Sequence, residues 1–232
     1  LTATYTEHTT GTTDFGTYTA VPIGFTFKYN CVDYTTVSIS NDGWIAFGST
    51  ITNTYYPLST GSSNNVVAAL GADLQGLSSG SLRSKTQGAA PNRTFTVEWQ
   101  HYEKYSGADD YSFQIVLTET SNTIQIKYAA STIVAGNGFE VGLRGASNAD
   151  FNNRTKAKAT TWTASTAGVA NTDVMSTGNN AAKSPNGIFT WTPPAVCSGT
   201  PAPGNTVASA NPVCSGVAFT LSMSGTASGC GI

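Results

Sequence analysis

The sequence predicts an all-β fold, an antiparallel β-sandwich such as a jelly roll, and three observations carry that expectation. Apolar and polar residues alternate with period two in several separate stretches. Short turns containing Asn, Asp, Ser or Gly join these stretches. No segment of the 232 residues shows the 3.6-residue periodicity of an amphipathic helix. Clean alternation leaves each sheet with one apolar face, and a second sheet is the simplest way to cover it.

Residues 1 to 20 are rich in Thr and Tyr and have no clear period, and an edge strand is expected at Thr2 to Thr6. The window Val21 to Gly48 organises the remainder of the chain. In IGFTFKYN, Ile23, Phe25, Phe27 and Tyr29 share one face, opposite Gly24, Thr26, Lys28 and Asn30. YTTVSIS sets Thr35, Val37 and Ile39 against Thr36, Ser38 and Ser40. Asn41-Asp42-Gly43 then supplies residues that tolerate positive φ before Trp44 to Phe47. Ser49 to Asn65 reads as a polar loop carrying Tyr55-Tyr56-Pro57. The continuous apolar run Val66 to Leu70 reads as a strand buried on both faces, with Asp73 just beyond it. Leu77 to Ala90 is small and polar apart from its two leucines, and Pro91-Asn92-Arg93 punctuates it before the next strong pattern.

TFTVEWQ turns Phe95, Val97 and Trp99 inward and Thr94, Thr96, Glu98 and Gln100 to water. A second hairpin joins Tyr111, Phe113, Ile115 and Leu117 to Ile124, Ile126 and Tyr128 through Thr120-Ser121-Asn122. Phe139, Val141 and Leu143 alternate in GFEVGLRG, and further strands are expected at Thr160 to Thr163 and Gly187 to Thr192, about eight to ten in all. These patterns set the domain boundaries: a β-sandwich over 1–192, a Pro- and Gly-rich linker over 193–204, and over 205–232 the start of a further β module, in which Phe219 and Leu221 alternate with Thr220 and Ser222.

Composition excludes several partners. Only 10% of residues are charged and the net charge is −2, so no basic field attracts nucleic acid or anionic lipid. No apolar run approaches the roughly 20 residues that span a bilayer, and the opening LTATYTEHTT lacks the pattern of a secretory signal, so it reads as a processed start. Cys31 stands apart from Cys197, Cys214 and Cys230, which are the disulfide candidates. Three cysteines cannot all pair among themselves, so one of them bonds Cys31, stays free or meets an external partner. An oxidising compartment fits this usage.

Chemical motifs are few. Gly76-Leu77-Ser78-Ser79-Gly80 matches G-x-S-x-G, yet no helix pattern comes after Gly80, and the histidines are His8, in the irregular N-terminal segment, and His101, at a strand end. Neither histidine has a second ligand at zinc spacing. Asp109-Asp110 could offer oxygen ligands to calcium but lacks the alternating spacing that makes acids converge, so no cofactor is expected beyond a weak calcium site there. Glu98, Glu103, Asp73 and Glu140 are acids in or near strands. Glu98 and Glu140 fall at outward positions, where solvated carboxylates are ordinary, so a glycosidase pair is not expected. Tyr55, Tyr56, Tyr102 and Tyr105 lie in or beside loops, where rings could stack on a sugar or anchor a protein. Asn92 and Asn153 head glycosylation sequons.

The segments VPIGFTFKYN, YTTVSISNDGWIAFG, PNRTFTVEWQ, YSFQIVLTETSNTIQIKY and FEVGLRGAS, in this order, resemble the N-terminal module of large secreted surface proteins of Bacteroidetes-type bacteria. The order is also similar to the nidogen-like extracellular domain, over roughly residues 15 to 192. The tail from Cys197 resembles the linker and first strand of an immunoglobulin-like repeat. The resemblance implies export, by type IX secretion, and a non-catalytic role in adhesion, gliding or matrix attachment, or as a spacer ahead of downstream domains. Cys31 stands where the family commonly has glycine, and Asp73-Leu74-Gln75 where it often has a second acid. The expected partner is a cell-surface or matrix protein or a glycan; a glycan-binding module using the loop tyrosines and a filament subunit are the alternatives.

Overall fold

The computed structural model describes residues 4–52, 54–133, 136–178, 180–193, 205–208 and 221–224. The chain divides into two units, Leu1–Pro193 and Pro194–Cys230. The first unit contains β1 (Thr6–Thr10), β2 (Thr17–Tyr29), β3 (Val32–Ser40), β4 (Trp44–Phe47), β5 (Val66–Gly71), β6 (Leu74–Gln87) and β7 (Thr94–Lys104). It continues through β8 (Tyr111–Thr118), β9 (Ile124–Tyr128), β10 (Gly138–Arg144), β11 (Phe151–Thr155), β12 (Thr166–Ala167), β13 (Met175–Ser176) and β14 (Gly187–Trp191). In the second unit β15 (Asn205–Ala208) pairs antiparallel with β16 (Leu221–Ser224).

The strands of the first unit form the two stacked antiparallel sheets that the alternation predicts. One has the order β1-β6-β7-β8-β9-β14; the other runs β12-β11-β10-β5-β4-β3-β2, with β13 added to β10. Phe25 and Phe27 of one sheet gather with Phe95, Trp99, Phe113 and Ile126 of the other in a single buried cluster. Full burial of such side chains contributes about 1.5–3 kcal/mol each. Trp99 stacks on Phe113 with ring centres 5.0 Å apart and donates its indole N–H to Ser40 O across the sheets at 3.0 Å.

β4 and β5 are buried on both faces, as the run Val66 to Leu70 predicts. Their outer face is covered by the 49–65 loop, which packs Ile51 and Leu58 on Trp44, Ala46, Val66 and Ala68. β10 fastens that loop. Glu140 accepts from Leu58 N at 2.6 Å, and the Arg144 guanidinium donates to Pro57 O, Thr60 O and Asn64 Oδ1 at 3.1, 2.9 and 2.9 Å. Glu140 is therefore 1% exposed. Its position is outward, as alternation requires, but the loop closes over it.

Other expectations need correction. Thr96 is buried, and so is Glu98, on whose carboxylate Arg83 Nε and Gln114 Nε2 close at 2.7 and 2.6 Å. The small, polar segment Leu77 to Ala90, where alternation marks no strand, is mostly β6, held by β1 on one side and β7 on the other through backbone hydrogen bonds. Of the edge strand expected at Thr2 to Thr6, residues 2 and 3 lie outside the described residues, and β1 spans Thr6–Thr10. Thr160 to Thr163 is no strand: Trp162–Ala164 forms a 3-10 turn that drops Trp162 fully into the core against Tyr128. The second hairpin and β14 form where alternation places them.

Candidate functional site

In an antiparallel sheet ordered β2, β3, β4, β5, the start of β2, the end of β3 and the end of β5 lie at one end of the sandwich, as the pairs Thr17 with Ser40 and Trp44 with Ala68 show. Three segments meet there: the 11–16 loop, the Asn41–Gly43 turn and the short link from β5 to β6. Thr13 O accepts from Asn41 Nδ2 at 3.3 Å and from Gly76 N at 3.1 Å, and Asn41 N donates to Gly16 O at 2.9 Å. Gly43 is required in its turn. Its φ is +78°, and a Cβ there would sit 2.6 Å from Leu70 O.

This knot is acidic. Asp42 is 2% exposed, and its Oδ1 accepts from Leu74 N at 3.0 Å. Burial, reinforced by the charges of Asp73 and Asp14, pushes its pKa up to about 7. Asp14 and Asp73 are likewise raised, each chiefly by burial; Asp73 adds to the rise at Asp14, and Lys104 moderates it at Asp73. Asp14 Oδ1, Asn41 Oδ1 and Asp73 Oδ1 are all shut off from solvent without a hydrogen-bond partner.

Exposed aromatics rim the same end. Phe15 follows Asp14 and is 61% exposed; Tyr105, whose N–H donates to Asp73 O at 2.8 Å, is 49% exposed. Tyr56 is 37% exposed beside Pro57, whose ring lies against Gly71 at the end of β5. Of the loop tyrosines singled out by sequence, Tyr56 and Tyr105 thus share this rim and Tyr55 is half-buried. Tyr102 is a core residue at 1% exposure, so its ring is not offered to a ligand. Phe15, Asp14 and Asn41 escaped the sequence reading because the first 20 residues have no period and Asn41 reads as an ordinary turn residue.

The other sequence candidates are dispersed. Asp109 is buried and accepts from Asn137 Nδ2 at 2.6 Å, whereas Asp110 pairs with His101 Nδ1 at 3.0 Å, so the adjacent carboxylates serve different protein partners. Among the described residues no group of three His, Cys, Asp or Glu side chains could hold a metal ion. Ser78 lies exposed in the bulged part of β6, and His8 bonds Ser84 Oγ at 2.9 Å. Asn153 is buried with its amide donated to Ala170 O. Cys31 is disulfide-bonded; Cys197, Cys214 and Cys230 lie outside the described residues.

A second surface is the outer face of the six-stranded sheet. It carries a groove of about 340 Å³ lined in part by Tyr5, Gln87, Gln114 and Gln125. Arg83 and Lys85 already cap the Tyr5 ring at 4.2 and 4.3 Å from its centre, so that ring is not a free platform for a sugar.

No curated protein and no solved structure matches the chain significantly. Residues 1–193 match the family model described as NIDO related. Domains of this kind are generally non-catalytic and typically extracellular. The match takes in both sheets and the acidic end with its aromatic rim, and the chain belongs to the NIDO-related family.

Proposed function

We propose that this chain is a non-catalytic module of a secreted cell-surface protein that attaches to a surface or matrix protein through the rim at the β5–β6 end of the sandwich. The observation that carries this reading is the exposure of Phe15, Tyr56 and Tyr105 from three separate loops at one end. The chain's other large aromatics are mostly consumed by its core. Exposed aromatics grouped on a rim are the usual anchors of protein recognition. The disulfide at Cys31 supports an oxidising, extracellular setting. Export by type IX secretion from a Bacteroidetes-type bacterium is the route that the sequence resemblance suggests.

Retention of the purified chain on cells or matrix of its producing organism tests the proposal. The triple variant Phe15→Ala, Tyr56→Ala, Tyr105→Ala is expected to lose at least tenfold in retention with its thermal midpoint unchanged. Equal retention of wild type and variant would rule out the rim as the attachment surface. Retention abolished by competing polysaccharide, with positive spots on a glycan array, would favour the glycan-binding alternative instead.

A further inference from the structure

We propose that Asp14, Asn41 and Asp73 form a binding site for a hard divalent cation, calcium in the first place. Each contributes a side-chain oxygen from a different loop, and each of those oxygens is buried without a hydrogen-bond partner. Unpaired buried acceptors are rare in native proteins and call for a donor or an ion. Asn41 is decisive because it is 0% exposed. Its Nδ2 is held by Thr13 O, and its Oδ1 lies 2.9 Å from where a Cβ on Gly16 would sit. The amide therefore spans the Thr13–Gly16 segment, and its free oxygen turns into the loop that carries Asp14.

A proton does not meet the need. Protonating Asp14 or Asp73 would supply a single O–H donor, which can meet one of the other two oxygens but leaves the third still short of a partner. The Lys104 ammonium acts on Asp73 without forming an ion pair with it. A cation placed among the three oxygens would serve all of them at once.

The donor chemistry selects the ion. Two carboxylates and an amide oxygen, without His or Cys, are hard ligands suited to calcium, manganese or magnesium and not to zinc or copper. Donors from three irregular loops suit the flexible coordination of calcium better than the strict octahedron of magnesium. Asp42 adds negative charge from behind but is not a ligand, since its Oδ1 is engaged by Leu74 N. With two ligand carboxylates and waters completing the shell, affinity should fall in the range of extracellular modules, about 10⁻⁴–10⁻³ M. The site differs from Asp109-Asp110, whose carboxylates are engaged by Asn137 and His101.

Calcium titration by calorimetry, terbium luminescence excited through the protein's aromatics, and thermal unfolding in calcium or EDTA test the proposal on the whole chain. One ion is expected to bind, raising the thermal midpoint by about 3–6 °C at ten times Kd. Asp14→Asn and Asp73→Asn should each weaken binding at least tenfold, while Asp110→Asn should bind as wild type does. Should Asp73→Asn fail to fold, Asp14→Asn, on the loop ahead of β2, decides the matter. Absence of heat and terbium signal at 10 mM ion, unchanged binding in Asp14→Asn, or loss in Asp110→Asn alone would overturn it.

Discussion

The sandwich buries carboxylates both at β10 and at the β5–β6 end, and these two regions are built to opposite rules. At β10, Glu140 and Arg144 are almost wholly used by the protein: the acid takes the N–H groups of Leu58 and Ser59, and the guanidinium serves carbonyls and Asn64 of the covering loop, with only Nε left over. At the β5–β6 end, Asp14, Asn41 and Asp73 each keep a buried oxygen that nothing in the protein uses. The difference separates a structural tie from a place prepared for something else. Burial raises the Glu140 carboxyl and lowers the Arg144 guanidinium, which shows that burial alone does not distinguish the two regions. What distinguishes them is the presence of unused lone pairs.

The largest effect should come from breaking the tie. Arg144→Met leaves Glu140 without its nearby cation and strips the loop carbonyls of their donor, and is expected to cost about 3–5 kcal/mol in urea unfolding. A cost below about 1 kcal/mol would mean that the 49–65 loop holds itself in place without β10.

Asp42 sharpens the contrast next. Its pKa is raised on folding from 3.8 to about 7, so the folded state binds the proton more tightly than the unfolded one. The resulting stability is complete below the unfolded value and is lost as pH rises through about 7. In calcium-free buffer, stability should therefore fall between about pH 4 and pH 8, by an amount of the order of a few kcal/mol. Asp42→Asn, which keeps an oxygen for Leu74 N, should flatten that fall. A wild-type profile that rises across this interval would contradict the assignment.

Smaller effects concern the acidic end and its rim. In EDTA at neutral pH, Asp14→Asn is expected to change stability by less than about 0.5 kcal/mol, or to raise it, because it removes repulsion from Asp73 and Asp42. Tyr105→Ala should leave stability within about 0.5 kcal/mol of wild type, since the ring is largely in water, and should show only in retention on the partner surface.

The sequence carried the sandwich because its core strands alternate strongly. Phe95, Val97 and Trp99, or Phe113, Ile115 and Leu117, can face only a dry interior. It hid β6 because LQGLSSGSLRSKTQ sends few large side chains inward, chiefly Leu74 and Leu82, and its extended form is fixed by neighbouring strands. Trp162 was masked by a 3-10 turn, which neither periodicity describes. Tyr56 and Tyr105 were visible as loop aromatics, but Tyr102 looked the same by spacing, and only its inward side of β7 separates it from them. The acidic end was written in the sequence as Asp14, Asn41-Asp42 and Asp73, each beside a strand terminus. Only the strand order shows that those termini share one end.

Hydrogen exchange in calcium and in EDTA compares the two regions in a single measurement. Added calcium is expected to slow exchange in the 11–16, 41–43 and 72–76 segments, while the 57–64 loop under Glu140 and Arg144 exchanges at the same rate in both buffers. Equal exchange at the acidic end with and without calcium, or protection that falls on the 57–64 loop instead, would contradict a cation site there.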